Sequence, residues 1–97
     1  MLAISEAKYL SDFKILLTFN NNKQGVLNFQ PIIAQDNREI FRDLENLSYF
    51  QDFKLRSGTL CWANELEFAP EFLFFQLFKE HPNYRNLFAE WGYLTAS

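Results

Sequence analysis

The stretch FKILLTFNNNKQGVLNF, residues 13–29, decides the fold. In its first part Phe13, Ile15, Leu17 and Phe19 alternate with Lys14, Leu16 and Thr18. A period of two places the first set on one face of a β-strand and the second on the other. The run Asn20-Asn21-Asn22-Lys23-Gln24-Gly25 is rich in residues that tolerate left-handed backbone geometry, so the chain turns there. Val26–Phe29 then reads as the returning strand. Upstream, the segment 2–10 reads as a weaker strand joined through Ser11-Asp12. These three segments predict an antiparallel meander.

Beyond the meander the pattern changes. Pro31 cannot continue a central strand. From Asn37 the spacing turns helical, with Ile40, Phe41, Leu44 and Leu47 on one side and Arg38, Arg42, Asp43 and Glu45 toward water. Asp36 or Asn37 is the expected N-cap. FKLR from Phe53 and TLCW from Thr59 flank Ser57-Gly58, a hairpin signal. Pro70 stands where the first turn of a helix accepts it. The following residues, Phe72, Leu73, Phe74, Phe75, Leu77 and Phe78, form a helix apolar on nearly every side, which must be covered all round. His81-Pro82 ends it. A last helix carries Tyr84, Leu87, Phe88 and Trp91 on one stripe, with Gly92 just past its end.

Strands first and helices last, with one helix between, predict an α+β fold. The expected architecture is an antiparallel sheet of about five strands (meander, helix, hairpin) packed with helices, two of them C-terminal. A chain of 97 residues is expected to form one domain spanning 1–97. Residues 79–97 are expected to form a helical extension at its C-terminal end.

Composition narrows the function classes. Acids and bases are mixed along the chain, and the net charge is −3. Nucleic-acid binding normally needs a basic face, so it is disfavoured. A single cysteine, Cys61, permits no internal disulfide and suits a reducing compartment. Glu6 and Lys8 interrupt what a signal peptide would need. The apolar run from Phe72 is too short to span a bilayer. A cytoplasmic location without membrane attachment is expected. Twelve Phe, four Tyr and two Trp make up 19% of the chain, more rings than so small a core obviously needs. The expectation is that some of them meet another chain.

Candidate chemistry is sparse. Glu65, Glu67 and Glu71 cluster before and just after Pro70, but a helix N-terminus favours acids through its dipole. Cys61 and His81 would make a nucleophile and base, yet Cys61 reads as a buried strand thiol and His81 as a residue at a helix end. No phosphate-cradling glycine loop or nucleophile elbow occurs. Zinc ligation needs more Cys and His than one of each. Neither a cofactor, a metal site nor catalytic residues are expected, and the chain reads as a non-enzyme.

The stretch LCWANELEFAPEFL, residues 60–73, resembles a bacterial family of unknown function, domain of unknown function 2442 (DUF2442). Trp62 matches the family Trp, Asn64 the turn Asn, Glu67 the usual acid, Phe68 the apolar position and Pro70 the helix-opening Pro. The family's Gly after the turn Asn is Glu65 here, which implies a turn of another shape. Some members look like partners of small toxin-like proteins, and some carry a helix-turn-helix domain, for which the tail after His81 leaves too little chain. The resemblance covers about residues 2–78, its family-like core, and makes an antitoxin-like or regulatory partner role thinkable.

The leading expectation is therefore a small protein-interaction or adaptor domain, self-associating as a homodimer through its C-terminal aromatic helices. The expected interface residues are Phe74, Phe75, Phe78, Tyr84, Leu87, Phe88 and Trp91. Trp62, Asn64, Glu67 and Pro70 form the structural motif. The alternative is a small-molecule or nucleic-acid-binding module that uses an exposed aromatic sheet face, either the one carrying Phe13, Ile15, Leu17 and Phe19 or the opposite one.

Overall fold

The structure, a computed structural model, describes residues 1–94. Strands β1 (Ile4–Ser11), β2 (Lys14–Phe19) and β3 (Gln24–Asn28) pair antiparallel in the order β1-β2-β3. Tyr9 stands opposite Ile15 and Ile15 opposite Leu27, so the inner face is continuous across the sheet. Ile15, Leu17, Phe19 and Leu27 are buried there. The outer face carries the cross-strand row Lys8, Leu16, Val26 and the row Glu6, Thr18, Gln24. It faces solvent, with Val26 49% exposed.

One residue of the meander departs from its expected place. The β1–β2 connection is Asp12-Phe13, whose φ angles are 49° and 66°, rather than Ser11-Asp12. Two left-handed residues in a two-residue loop match the twist of a hairpin. A bulky side chain is strained in that region. Phe13 is held there because its carbonyl accepts the Phe29 N–H at 2.9 Å and its ring packs 5.0 Å from Phe50. Phe13 thus leaves the inner face of β2.

Pro31 does end the sheet, but as part of the first turn of an unexpected short helix, α1 (Gln30–Gln35). The helix expected from Asn37 is instead a 3-10 helix, Glu39–Glu45, followed by α2 (Leu47–Phe50). Neither Asp36 nor Asn37 caps it; the N-cap is Arg38. The reason lies in two arginines. The Asp36 carboxylate accepts from the Arg38 backbone N–H and from its guanidinium, so it is already engaged. The Arg42 guanidinium donates to the carbonyls of Ile33 and Asp36 at 2.6 and 2.7 Å and to Glu45 at 2.7 Å. It thereby satisfies carbonyls left open at the end of α1.

A second antiparallel sheet follows, β4 (Lys54–Arg56), β5 (Thr59–Cys61) and β6 (Glu67–Phe68), in that order. The expected hairpin at Ser57-Gly58 is present, with φ 53° and 78°. Among the described residues six strands in two sheets stand where one sheet of about five was expected, and the α+β class holds. Helix α3 (Pro70–Phe78) opens at Pro70. It lies on β3, where Gly25 leaves room for Leu77. Helix α4 (Arg85–Glu90) ends as expected at Gly92, φ 89°. The Gly92 and Tyr93 N–H groups return to the carbonyls of Ala89 and Phe88 at 3.0 and 2.9 Å, a Schellman closure.

The buried side chains of both sheets and of α3 and α4 form one cluster. It takes up nearly every ring. Among the described residues Tyr93, 37% exposed, is the only aromatic side chain that counts as an exposed large hydrophobic. The ring surplus inferred from composition is thus absorbed within one chain, mostly by edge-to-face and tilted contacts.

Gly58 joins the two sheets. Its carbonyl accepts the Ile4 N–H at 2.9 Å, and a Cβ built there would lie 2.6 Å from the Ala3 Cβ. Gly58→Ala combines left-handed strain with that clash. It is expected to lower stability by about 2–3 kcal/mol, read as a shift in the urea midpoint; an unchanged midpoint contradicts the docking of β1 on this turn.

Candidate functional site

The site begins at Trp62. Its indole N–H donates to the Phe50 carbonyl at 2.9 Å, and the ring lies 5.6 Å from Phe50 and 5.7 Å from Phe68. Trp62 is buried. Immediately after it the chain makes a tight turn. The Trp62 carbonyl accepts the Glu65 N–H at 3.0 Å, and the Trp62 N–H donates to the Leu66 carbonyl at 2.9 Å.

Asn64 fixes that turn to the rest of the molecule. Its Oδ1 accepts the Leu66 N–H at 3.0 Å. Its Nδ2 donates to the Ile40 carbonyl at 3.2 Å and to Asp43 Oδ2 at 3.0 Å. Its backbone N–H donates to the Tyr49 hydroxyl at 2.8 Å. Both side-chain atoms are used, so no other residue type of this size fits. Glu65 has φ 73°. Glu65 thus takes a left-handed backbone that a glycine adopts without strain.

From this turn the chain runs into β6, where Glu67 is exposed and Phe68 buried, and then into α3 at Pro70. Between β6, α1 and α3 lies a groove of about 450 Å³. Its apolar lining includes Ile32, Phe41, Phe68 and Phe72. The Phe68 and Phe72 rings stack 5.8 Å apart with planes 12° from parallel, and Phe41 meets Phe68 at 5.9 Å. Asp36, Arg38, Glu67 and Lys79 supply its charges. The Arg38 guanidinium lies 4.9 Å from the Phe41 ring centroid and grips Asp36 through two bonds of 2.9 and 2.8 Å. Those bonds hold the Asp36 carboxyl below its ordinary pKa, aided by the Arg38 backbone N–H, and raise that of Arg38.

The groove was not legible as a site in the sequence, because four separate segments build it. Of the four motif residues only Glu67 lines it. Asn64 positions it from behind, Trp62 lies in the core beneath β5, and Pro70 starts the helix that forms one wall.

The residues expected at an interface are distributed differently. Phe74 and Phe88 are fully inside, 1% and 0% exposed, so neither ring is available to another chain. Phe75, Phe78, Tyr84, Leu87 and Trp91 are half-buried and packed against the same core. Phe74 meets Phe78 at 4.6 Å, and Phe75 meets Phe88 at 5.0 Å and Tyr93 at 4.8 Å. The aromatic sheet platform is not present. Ile15, Leu17 and Phe19 are buried, Phe13 sits in a turn, and the open face carries Lys8, Leu16, Thr18 and Val26 without a ring.

The remaining candidates are engaged in their own elements. Cys61 is buried with its Sγ 3.5 Å from the Lys54 carbonyl. His81 Nδ1 accepts the Asn83 N–H at 3.2 Å and its ring lies 5.1 Å from Tyr84. Glu71 sits in the first turn of α3, as the dipole argument expects. Among the described residues no group of three or more His, Cys, Asp or Glu could hold a metal, and no helix is long and apolar enough to cross a membrane.

The stretch from β1 through α3 is also what the comparisons pick out. A family model described as a protein of unknown function (DUF2442) matches residues 4–78. The chain belongs to the DUF2442 family. The match runs through β1 and ends at Phe78, the last residue of α3. It therefore contains the groove apart from Lys79, and leaves α4 outside. No curated protein and no solved structure gives a match.

Two outcomes follow for this site. Asn64→Asp replaces a donor by an acceptor facing Ile40 O and Asp43. It is expected to cost about 1–3 kcal/mol at neutral pH, with part of the loss recovered once the new carboxyl is protonated in acid; equal stability at pH 7 contradicts the staple. For Asp36, folded below unfolded pKa means the ion pair stabilises above the ordinary carboxylate value and fades as pH falls through the lower folded one. Its contribution is small because the pair is exposed. Carbon-13 titration should place the Asp36 midpoint below 3.8, and Arg38→Ala should raise it; an unchanged midpoint in that variant contradicts the pairing.

Proposed function

We propose that this DUF2442 chain is a protein-binding domain whose binding surface is the groove between β6, α1 and α3. The observation that carries the reading is an open cleft with half-buried Ile32 and Phe72 on its wall and the buried Phe41 and Phe68 rings behind them. Clefts of a few hundred Å³ with apolar floors and a few polar groups are the usual shape of binding sites. Exposed Arg beside aromatic side chains is the usual composition of an interface anchor. The domain acts here as an adaptor rather than as an enzyme, in the bacterial cytoplasm. An antitoxin-like or regulatory partner role is the specific form that the family resemblance adds.

A second reading, homodimerisation through the C-terminal helices, draws on exposed Tyr93 and on half-buried Phe75, Leu87 and Trp91. The two readings separate experimentally. Ile32→Glu places a charge in the groove and should weaken retention of a co-purifying partner at least about tenfold, while the far-ultraviolet circular dichroism is unchanged. Sedimentation of the wild-type chain at high micromolar concentration should give a monomer if the groove is the working surface. A dimer dissociated by Trp91→Asp but untouched by Ile32→Glu would favour the second reading instead.

A further inference from the structure

The groove runs beside a sheet edge, and the pairing of that edge specifies what it can accept. In the β5–β6 ladder Leu60 stands opposite Phe68 and Cys61 opposite Glu67. The next pair in register, Trp62 and Leu66, is joined by a hydrogen bond from the Trp62 N–H to the Leu66 carbonyl at 2.9 Å. Antiparallel ladders alternate bonded and non-bonded pairs. Leu66 and Phe68 therefore direct their backbone groups toward β5, and Glu67 directs its N–H and C=O outward. Outside the ladder itself, neither group has a backbone partner among the described residues.

Given that the groove is the binding surface, we propose that it takes an extended polypeptide segment of the pattern apolar–basic–apolar, added as a further antiparallel strand on β6. The central residue of that segment exchanges two backbone hydrogen bonds with Glu67. Its side chain then stands on the same face as Glu67, at cross-strand distance, where opposite charge is favoured. Glu67 is exposed and forms no ion pair among the described residues. The flanking side chains fall on the opposite face, by the period of two. That is the face of buried Phe68, whose ring is stacked on Phe72 and touches Phe41. Backbone pairing gives such a site its affinity, and alternate side chains give its specificity. An edge of only two residues predicts weak binding to an isolated peptide.

The test uses the full chain, labelled with nitrogen-15, and three probes. The first is the capped peptide acetyl-Ser-Ile-Lys-Ile-Ser-amide. The second has Glu in place of Lys, and the third carries a methyl group on the Lys backbone nitrogen. The first should shift the amides of Glu67, Phe68 and Phe72 and bind about fivefold more tightly than the second. Glu67→Lys should reverse that order, and the methylated peptide should show no binding. Groove shifts with equal affinity for the Lys and Glu peptides, or undiminished binding of the methylated one, overturn strand addition while leaving the groove as a binding surface. No movement of any groove amide at millimolar peptide overturns both.

Discussion

The fold depends on the buried indole of Trp62 and the carbonyl of Phe50 to which it donates. That bond ties β5 to the end of α2, and the ring beneath it is shared by Phe29, Phe50, Phe53 and Phe68. A buried carbonyl deprived of its donor costs about 1–3 kcal/mol, and the rings would lose their common neighbour as well. The position of β6 follows from the same point. The turn after Trp62 is closed by its own backbone and by Asn64, which reaches back to the 3-10 helix. The groove is thus built on a buried, hydrogen-bonded core residue rather than on a free loop.

The ring content that suggests a second chain has an internal explanation. One group of rings centres on Phe50, Trp62 and Phe68, and another on Phe74 and Phe88. The stack of Phe68 on Phe72 and the edge contact of Phe19 with Phe74 connect the two sheets to the helices. Aromatic side chains bury large areas and tolerate several mutual orientations, so a small domain can fill most of its interior with them. Helix α3, apolar on nearly every side, has no exposed residue from Pro70 to Phe78, because β3, β6, α4 and Tyr93 cover it. Total ring count is therefore a poor guide to interfaces. The rings that matter are the few that line an opening.

Much of the fold was legible. Alternation announced β2, Gly58 the hairpin, Pro70 the start of α3 and Gly92 the end of α4, each because one physical requirement points to one residue type. The failures have equally local causes. Aromatic residues avoid left-handed geometry, so the pattern places Phe13 in the strand, but packing on Phe50 overrides that preference. Pro31 signals the end of a strand, yet proline also suits the first turn of a helix, where it sits. The segment after Asp36 kept helical spacing but tightened to a 3-10 helix, since Arg38 and Arg42 occupy the groups that would cap an α-helix. Strand β6 is two residues long and has no period to detect. The groove needs α1, the 3-10 helix, β6 and α3 together, and no sequence pattern announces α1, the 3-10 geometry or β6.

The central claim is that Trp62 anchors a closed core while Glu67 presents an open edge, and native-state hydrogen exchange tests it in a single measurement. The account predicts that the Trp62 indole N–H and the Phe68 amide exchange only through global unfolding. The Glu67 amide, one residue from Phe68, should exchange orders of magnitude faster. A Glu67 amide as slow as its neighbour, or a rapidly exchanging Trp62 indole, would contradict it.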